Sequence, residues 1–327
     1  MTTHIEPTTS VLDTIGETPL VELDLVDGVP IYAKLETFNP GGSVKDRIGK
    51  HILEELLDRG DVPPGGTIVE PTAGNTGIGM AIAANELDLD TVFVVPEGFS
   101  TEKEQLMAAL GGDIVHVSGE SGMSEAIETA HEIADQREDA VIPQQFATPL
   151  NVDAHYRTTG PEIVEALDGQ IGAVVVGVGS GGTLTGIARA VRERVPDVHV
   201  VAVEPEGSTF GELLGEHREE GDYKTEGIGT HDPSVTQLLE PEEIDEFVTV
   251  SDREAHAEVK QLAAEESHLV GSSSGAASVA ARRVADEIAR GERDAPHEKV
   301  VTVFPDGSER YLSKHIYGSF EQWEGKA

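Results

Sequence analysis

No cysteine occurs anywhere in this chain of 327 residues. Disulfides, thiolate metal sites and a cysteine nucleophile are therefore excluded, so any sulfur chemistry has to be performed on substrates, without a protein thiol; no metal is expected. Positive charge is scarce as well: 23 basic residues face 61 acidic ones, a formal charge of −38. A surface of that sign argues against nucleic acid or an anionic membrane as a partner, since both repel it. The acids are dispersed through persistent Gly, Val, Ile and Ala patterning rather than gathered in a low-complexity tract, which argues against disorder. Such a surface is that of a halophilic protein, because at molar salt the Debye length falls to about 3 Å and self-repulsion is screened. Long apolar runs are also missing, and none approaches the roughly 18 residues needed to span a bilayer. Met1 to Val11 has neither the basic start nor the apolar stretch of a secretory signal, so a cytoplasmic protein is the expectation.

What is present is an alternation. Strand-like apolar runs at Ile68–Glu70, Thr91–Val95, Asp113–Val117, Ala173–Val178, Val198–Glu204 and Val300–Phe304 are interleaved with helical patterns at Glu102–Leu110, Met123–Arg137 and Leu184–Arg194. Buried strands alternating with helices predict an α/β protein with parallel sheets covered on both faces, and the length suits two domains. A boundary is expected near Gln144–Asp153, where Pro143 and Pro149 interrupt the pattern. The stretch Gly207–Glu243 breaks the rhythm and reads as a long irregular segment near a site mouth.

Four loops carry the chemistry. In NPGGSVKDR (Asn39–Arg47), Lys45 falls in the first turn of a helix. The positive helix end disfavours its ammonium form, and a lysine able to lose its proton can form a Schiff base; alone, the motif reads equally well as an exposed helix lysine. EPTAGNTGIG (Glu70–Gly79) sets Thr72, Asn75 and Thr76 beside bare glycine backbone, suited to a carboxylate at a helix start or, more simply, to an N-cap. GVGSGGTLTG (Gly177–Gly186) follows a strand and can wrap a phosphate with backbone N–H groups and the Ser180 and Thr183 hydroxyls. It also satisfies GxGxxG, and Glu204 ends the next strand, so an NAD-dependent oxidoreductase is a formal alternative. The fourth loop, VGSSSGAA (Val270–Ala277), offers serines either as helix caps or as neutral partners for a heterocyclic nitrogen.

In their order and spacing the four loops together resemble the cysteine synthase and cystathionine β-synthase family of fold-type II pyridoxal-phosphate (PLP) enzymes, a tryptophan synthase β-like fold. The resemblance runs from GETPL (Gly16–Leu20) to FPDGSERYLS (Phe304–Ser313). A dinucleotide enzyme would explain Gly177–Gly182 and leave the other three loops idle. The resemblance implies that Lys45 is the Schiff-base and catalytic lysine, that Asn75 meets the cofactor's 3-hydroxyl, that Gly179, Ser180, Gly181, Gly182 and Thr183 form the phosphate cup, and that Ser273 faces the pyridine nitrogen. It implies a substrate carboxylate held by Thr72, Gly74, Asn75, Thr76 and Gln145, with Gly227 also on the substrate side. It divides the chain into a smaller domain, 36–151, and a larger one made of 1–35 and 152–327. It further implies a homodimer and serine acetyltransferase as a partner to be considered. Two departures stand out: Ala73 replaces the usual serine, and THDPS (Thr230–Ser234) stands where an aromatic is more frequent. With Ala327 shortly after the last of these motifs, no C-terminal regulatory module is expected.

The implied reaction is β-replacement on O-acetylserine. Lys45 takes the Cα proton, acetate leaves Cβ, a sulfur nucleophile adds, and Lys45 returns the proton. Sulfide, giving cysteine, is the first reading, and homocysteine the alternative. Glu226 in EGIG resembles the cystathionine synthases and could hold homocysteine's amine, but Thr225–Pro233 contains no obvious basic residue to receive its carboxylate, and unpaired polar groups on a bound substrate are costly. From the charge alone we expect the melting temperature to climb as salt rises from millimolar to molar; a melting temperature indifferent to salt would mean that the acids serve another purpose.

Overall fold

The structure is a computed structural model that describes residues 7–72, 74–98, 100–119 and 122–325. In chain order the strands are β1 (Leu20–Leu23), β2 (Ile31–Leu35), β3 (Thr67–Pro71), β4 (Asp90–Pro96), β5 (Asp113–Val117), β6 (Ala140–Val141), β7 (Ala173–Gly177), β8 (His199–Pro205), β9 (Glu246–Val250) and β10 (Val300–Phe304). The helices are α1 (Lys45–Arg59), α2 (Asn75–Glu86), α3 (Thr101–Ala109), α4 (Gly122–Asp135), α5 (Leu150–Arg157), α6 (Thr159–Ala166), α7 (Gly182–Arg194), α8 (Asp252–Glu265), α9 (Ser272–Ala289) and α10 (Phe320–Trp323). They form two compact units. One holds Asn39–Pro143 and the described part of Met1–Glu17; the other holds Thr18–Phe38 and the described part of Gln144–Ala327.

The first unit is built on a sheet of order β5-β4-β3-β6, parallel throughout. Val69, Val92 and Val94 pack with Ala126 and Ala130 of α4. Phe93, of opposite parity, lies against the place where a side chain on Gly112 would be, next to the end of α3, as the period of two demands. Helices α1 and α2 touch backbone to backbone. A Cβ on Gly49 would strike the Gly79 carbonyl group, and one on Gly79 would strike that of Lys45. Two small residues at one crossing are what allow this approach.

The second unit carries the sheet β1-β2-β10-β7-β8-β9. Only the β1–β2 pair is antiparallel, at the edge; β2, β10, β7, β8 and β9 run parallel. Alternate residues serve alternate faces. Ala173, Val175, Val201 and Val203 pack with Ala276, Ala280 and Val284 of α9, whereas Val174, Val176, Val200 and Ala202 pack with Ile163 of α6 and Leu184, Ile187 and Val191 of α7. Cover on both faces explains why these strands read as unbroken apolar runs. The irregular stretch after β8 holds only short 3-10 turns at Phe210–Leu214, Pro233–Val235 and Pro241–Glu243.

Gly49→Ala should destabilise the first unit by about 1–3 kcal/mol, the usual cost of forcing extra volume into a close-packed contact. A lowered urea midpoint checks this; an unchanged midpoint would mean that the α1–α2 crossing can open without cost.

Candidate active site

Each of the four sequence loops opens a helix, and at three of those helices, α2, α7 and α9, glycine stands at the cap position, whereas α1 begins with Ser43 Oγ accepting from Lys45 N–H. Val44, Gly74, Gly181 and Gly271 stand at the cap positions of α1, α2, α7 and α9, and none makes a capping bond. At α2 and α9 glycine, and no hydroxyl residue, occupies the cap position, at Gly74 and Gly271. Elsewhere serines do cap, as Ser100, Ser251 and Ser319 do for α3, α8 and α10. The N–H groups of a helix start carry the positive end of the helix dipole.

In the first unit Lys45 is the first residue of α1 and is partly buried, its backbone N–H donating to Ser43 Oγ at 3.2 Å. Its carbonyl lies against Gly79, one turn beyond Asn75 on α2. Thr72 is buried at the end of the β3 loop, with Oγ1 accepting from Gly74 N–H at 3.3 Å. Asn75 opens α2 and Thr76, also buried, follows it. Ala73 lies outside the described residues.

In the second unit the cup residues Gly179–Thr183 join β7 to α7. Gly181 has φ +86°, a left-handed conformation that favours glycine, and a side chain there would meet Leu239 at 2.8 Å. A Cβ on Gly179 would strike the Gly227 carbonyl, and one on Gly182 would strike Asn151. Bare backbone is thus required along the loop, as a phosphate cradle needs. Ser180 is buried, and its Oγ accepts from Asn151 Nδ2 at 3.1 Å; the same nitrogen donates to the carbonyl of Gln145 at 2.8 Å. The segment Thr225–Gly229 runs as a strap from the cup to the start of α9. Gly229 N–H donates to Val178 O at 2.8 Å, Gly227 abuts Gly179, and Glu226 N–H donates to Ser272 Oγ at 3.1 Å. Asp252 anchors the strap by accepting from Thr225 N–H at 2.9 Å. Ser273, next to Ser272, is buried in the first turn of α9, and the neighbouring Ser274 Oγ is buried without a hydrogen-bond partner. Behind that turn Tyr311 donates to Asp306 at 2.5 Å, and burial, reinforced by Asp306, keeps its phenol protonated well above the ordinary range.

The dinucleotide alternative fails on Glu204. This carboxylate is fully buried, accepting from Arg218 Nε at 2.7 Å and from Gly211 N–H at 3.2 Å, so it is committed to holding the irregular segment rather than offered to a ribose. Three side chains escaped the sequence reading. Asn151 and His155 support the cup from α5; their spacing of four marks one helical face, but the sequence does not say what that face meets. Lys314 lies 2.5 Å from Glu226 through Nζ and Oε1, a pairing across 88 residues. The basic neighbour missing from Thr225–Pro233 therefore comes from a distant turn.

Comparison with known proteins places the chain in a family. A family model described as "Pyridoxal-phosphate dependent enzyme" matches residues 11–306. The chain is 45% identical over 312 residues to an O-acetylserine dependent cystathionine beta-synthase of Bacillus subtilis, covering 94% of this chain and 97% of that protein. It is 44% identical over 314 residues to a cysteine synthase of Helicobacter pylori, covering 94% and 98%. Among solved structures, an O-acetylserine dependent cystathionine beta-synthase from Helicobacter pylori superposes with a TM-score of 0.84 at 43% identity, covering 96% of this chain and 100% of that one. A cysteine synthase from Entamoeba histolytica gives 0.89 at 30% identity, covering 99% and 96%. With a family match along most of its length and relatives of this similarity, the chain belongs to the pyridoxal-phosphate dependent enzymes, in the branch of cysteine synthases and O-acetylserine dependent cystathionine β-synthases.

Proposed function

We propose that this enzyme joins O-acetylserine and sulfide to give cysteine and acetate. The observation that carries the reading is full-length similarity to a protein named cysteine synthase, combined with a cup whose glycines leave no room for side chains. The residues fit the cofactor. An uncapped helix start with two hydroxyls suits a phosphate dianion, and a neutral serine at the start of α9 suits a ring nitrogen that stays unprotonated. Gly179, Ser180, Gly181, Gly182 and Thr183 would hold the phosphate, Ser273 the ring nitrogen, Asn75 the 3-hydroxyl, and Lys45 the carbonyl carbon.

When bound, PLP supplies an electron sink for the bond broken at Cα. The protein's own groups do the rest. Lys45 stands at the positive end of α1, which lowers the cost of its neutral form, and the free amine takes the Cα proton and later returns it. Thr72, Gly74, Asn75, Thr76 and Gln145 orient the substrate carboxylate, with Gly227 at the substrate side. Ser273 accepts no charge, so the sink remains modest and loss of acetate from Cβ competes well with other outcomes. We infer in addition a cytoplasmic homodimer, adapted to salt, with serine acetyltransferase as a candidate partner.

A second reading is favoured by one contact. Glu226 and Lys314 together present an acid and a base, which an amino-acid thiol such as homocysteine could engage through its amine and carboxylate. Sulfide remains first because it needs only access, whereas homocysteine must break this pair. We expect kcat/KM with O-acetylserine to be higher for sulfide than for homocysteine, and Glu226→Ala to leave the sulfide reaction within about threefold, a change smaller than one hydrogen bond. If homocysteine is preferred, and Glu226→Ala abolishes that reaction selectively, cystathionine formation replaces cysteine synthesis. Lys45→Ala should lower kcat by at least about a thousandfold, in the range of a lost general base, and Ser273→Asp should impair turnover far more than PLP retention. Normal turnover in either variant would remove that residue from its role.

A further inference from the structure

Asn151 and His155 stand four residues apart on α5 and so share one face. Both are fully buried. That face is pressed onto α7, where a Cβ on Gly186 would strike the Val152 carbonyl and lie 2.7 Å from the Cβ of His155. Asn151 meets the first cup hydroxyl, since Nδ2 lies 3.1 Å from Ser180 Oγ. Its orientation is fixed by the Gln145 carbonyl 2.8 Å from the same nitrogen, because a carbonyl only accepts. Ser180 Oγ therefore accepts from Asn151 and keeps its own proton for another partner.

His155 meets the second cup hydroxyl: Nε2 lies 3.1 Å from Thr183 Oγ1, and Nδ1 lies 2.9 Å from Thr159 Oγ1. A neutral imidazole has one N–H, and its position is set by what the other nitrogen is bonded to. With the proton on Nδ1, Nε2 would take the Thr183 proton and leave that hydroxyl presenting lone pairs to an anion. With the proton on Nε2, Thr183 accepts from the ring and has its proton to give.

We propose that His155 is a positioning residue held as the Nε2–H tautomer by a hydrogen bond donated from Thr159, so that α5 makes donors of both cup hydroxyls, Ser180 through Asn151 and Thr183 through His155. This rests on the reading that the cup holds the cofactor's phosphate. Hydroxyl donors to a phosphate form charge-assisted bonds, the stronger class, and a hydroxyl turned the wrong way loses that bond and adds repulsion.

The test is made on the holoenzyme. Long-range proton–nitrogen NMR of the histidine-labelled protein should find His155 protonated at Nε2 and bare at Nδ1; the opposite tautomer overturns the proposal outright. Thr159→Val, which removes the donor to Nδ1, should weaken PLP retention about tenfold, the scale of one charge-assisted bond, and shift the cofactor's phosphorus resonance. Thr159→Ser should restore both. His155→Gln, which keeps an amide N–H near the Nε2 position, should retain PLP better than His155→Ala. Thr183→Val separates the two layers of the argument. If it weakens retention while Thr159→Val leaves retention and resonance unchanged, only the proton arrangement is wrong. If Thr183→Val itself changes neither, Thr183 does not touch the phosphate, and the cup assignment falls together with this inference.

Discussion

The constraint on which the rest depends is the bare glycine backbone at the starts of α2, α7 and α9. Backbone N–H groups at a helix start must be satisfied by a side chain, water or a ligand. This protein caps α3, α8 and α10 with serine, and Ser43 bonds the first N–H of α1, but glycine stands at the cap positions of α2, α7 and α9. Helices α5 and α6 also begin without a side-chain cap, at Pro149 and at the junction between the two helices. A carboxylate or phosphate can take the place of a cap only where the backbone can come close. The glycines at 179, 181 and 182 provide that closeness, and neighbours on the far side fill the space their side chains would need.

Local rigidity follows from the same economy of side chains. The strap Thr225–Gly229 is tied at Asp252, Ser272 and Val178, so the cup and the start of α9 share one frame. Asn151 and His155 brace the cup from α5, and Glu204 with Arg218 braces the irregular segment beneath the strap. Dipoles held in this way are already aimed, and a site built so avoids the reorganisation cost of aiming them on binding.

Much of this was legible in the sequence. The strands at Asp113–Val117 and Val300–Phe304 coincide with β5 and β10 residue for residue, and the ends of the others shift by no more than one position, because apolar runs buried on two faces leave an unmistakable pattern. The antiparallel hairpin β1–β2 was not read, since LVEL and IYAKL are short and Lys34 in the second appears polar, although it is buried in an ion pair with Glu162 at 2.6 Å. The loops were legible because glycine at fixed offsets has a backbone meaning. His155 and Lys314 were not, since what they do depends on contacts 28 and 88 residues away.

The central claim is that Lys45, the first residue of α1, is the residue that carries the cofactor. Borohydride reduction of the yellow holoprotein followed by peptide mass mapping tests it most directly. The account predicts a pyridoxyl adduct on the peptide containing Lys45 and on no other lysine. An adduct on a different lysine, or a colourless protein that takes up no PLP, would contradict it.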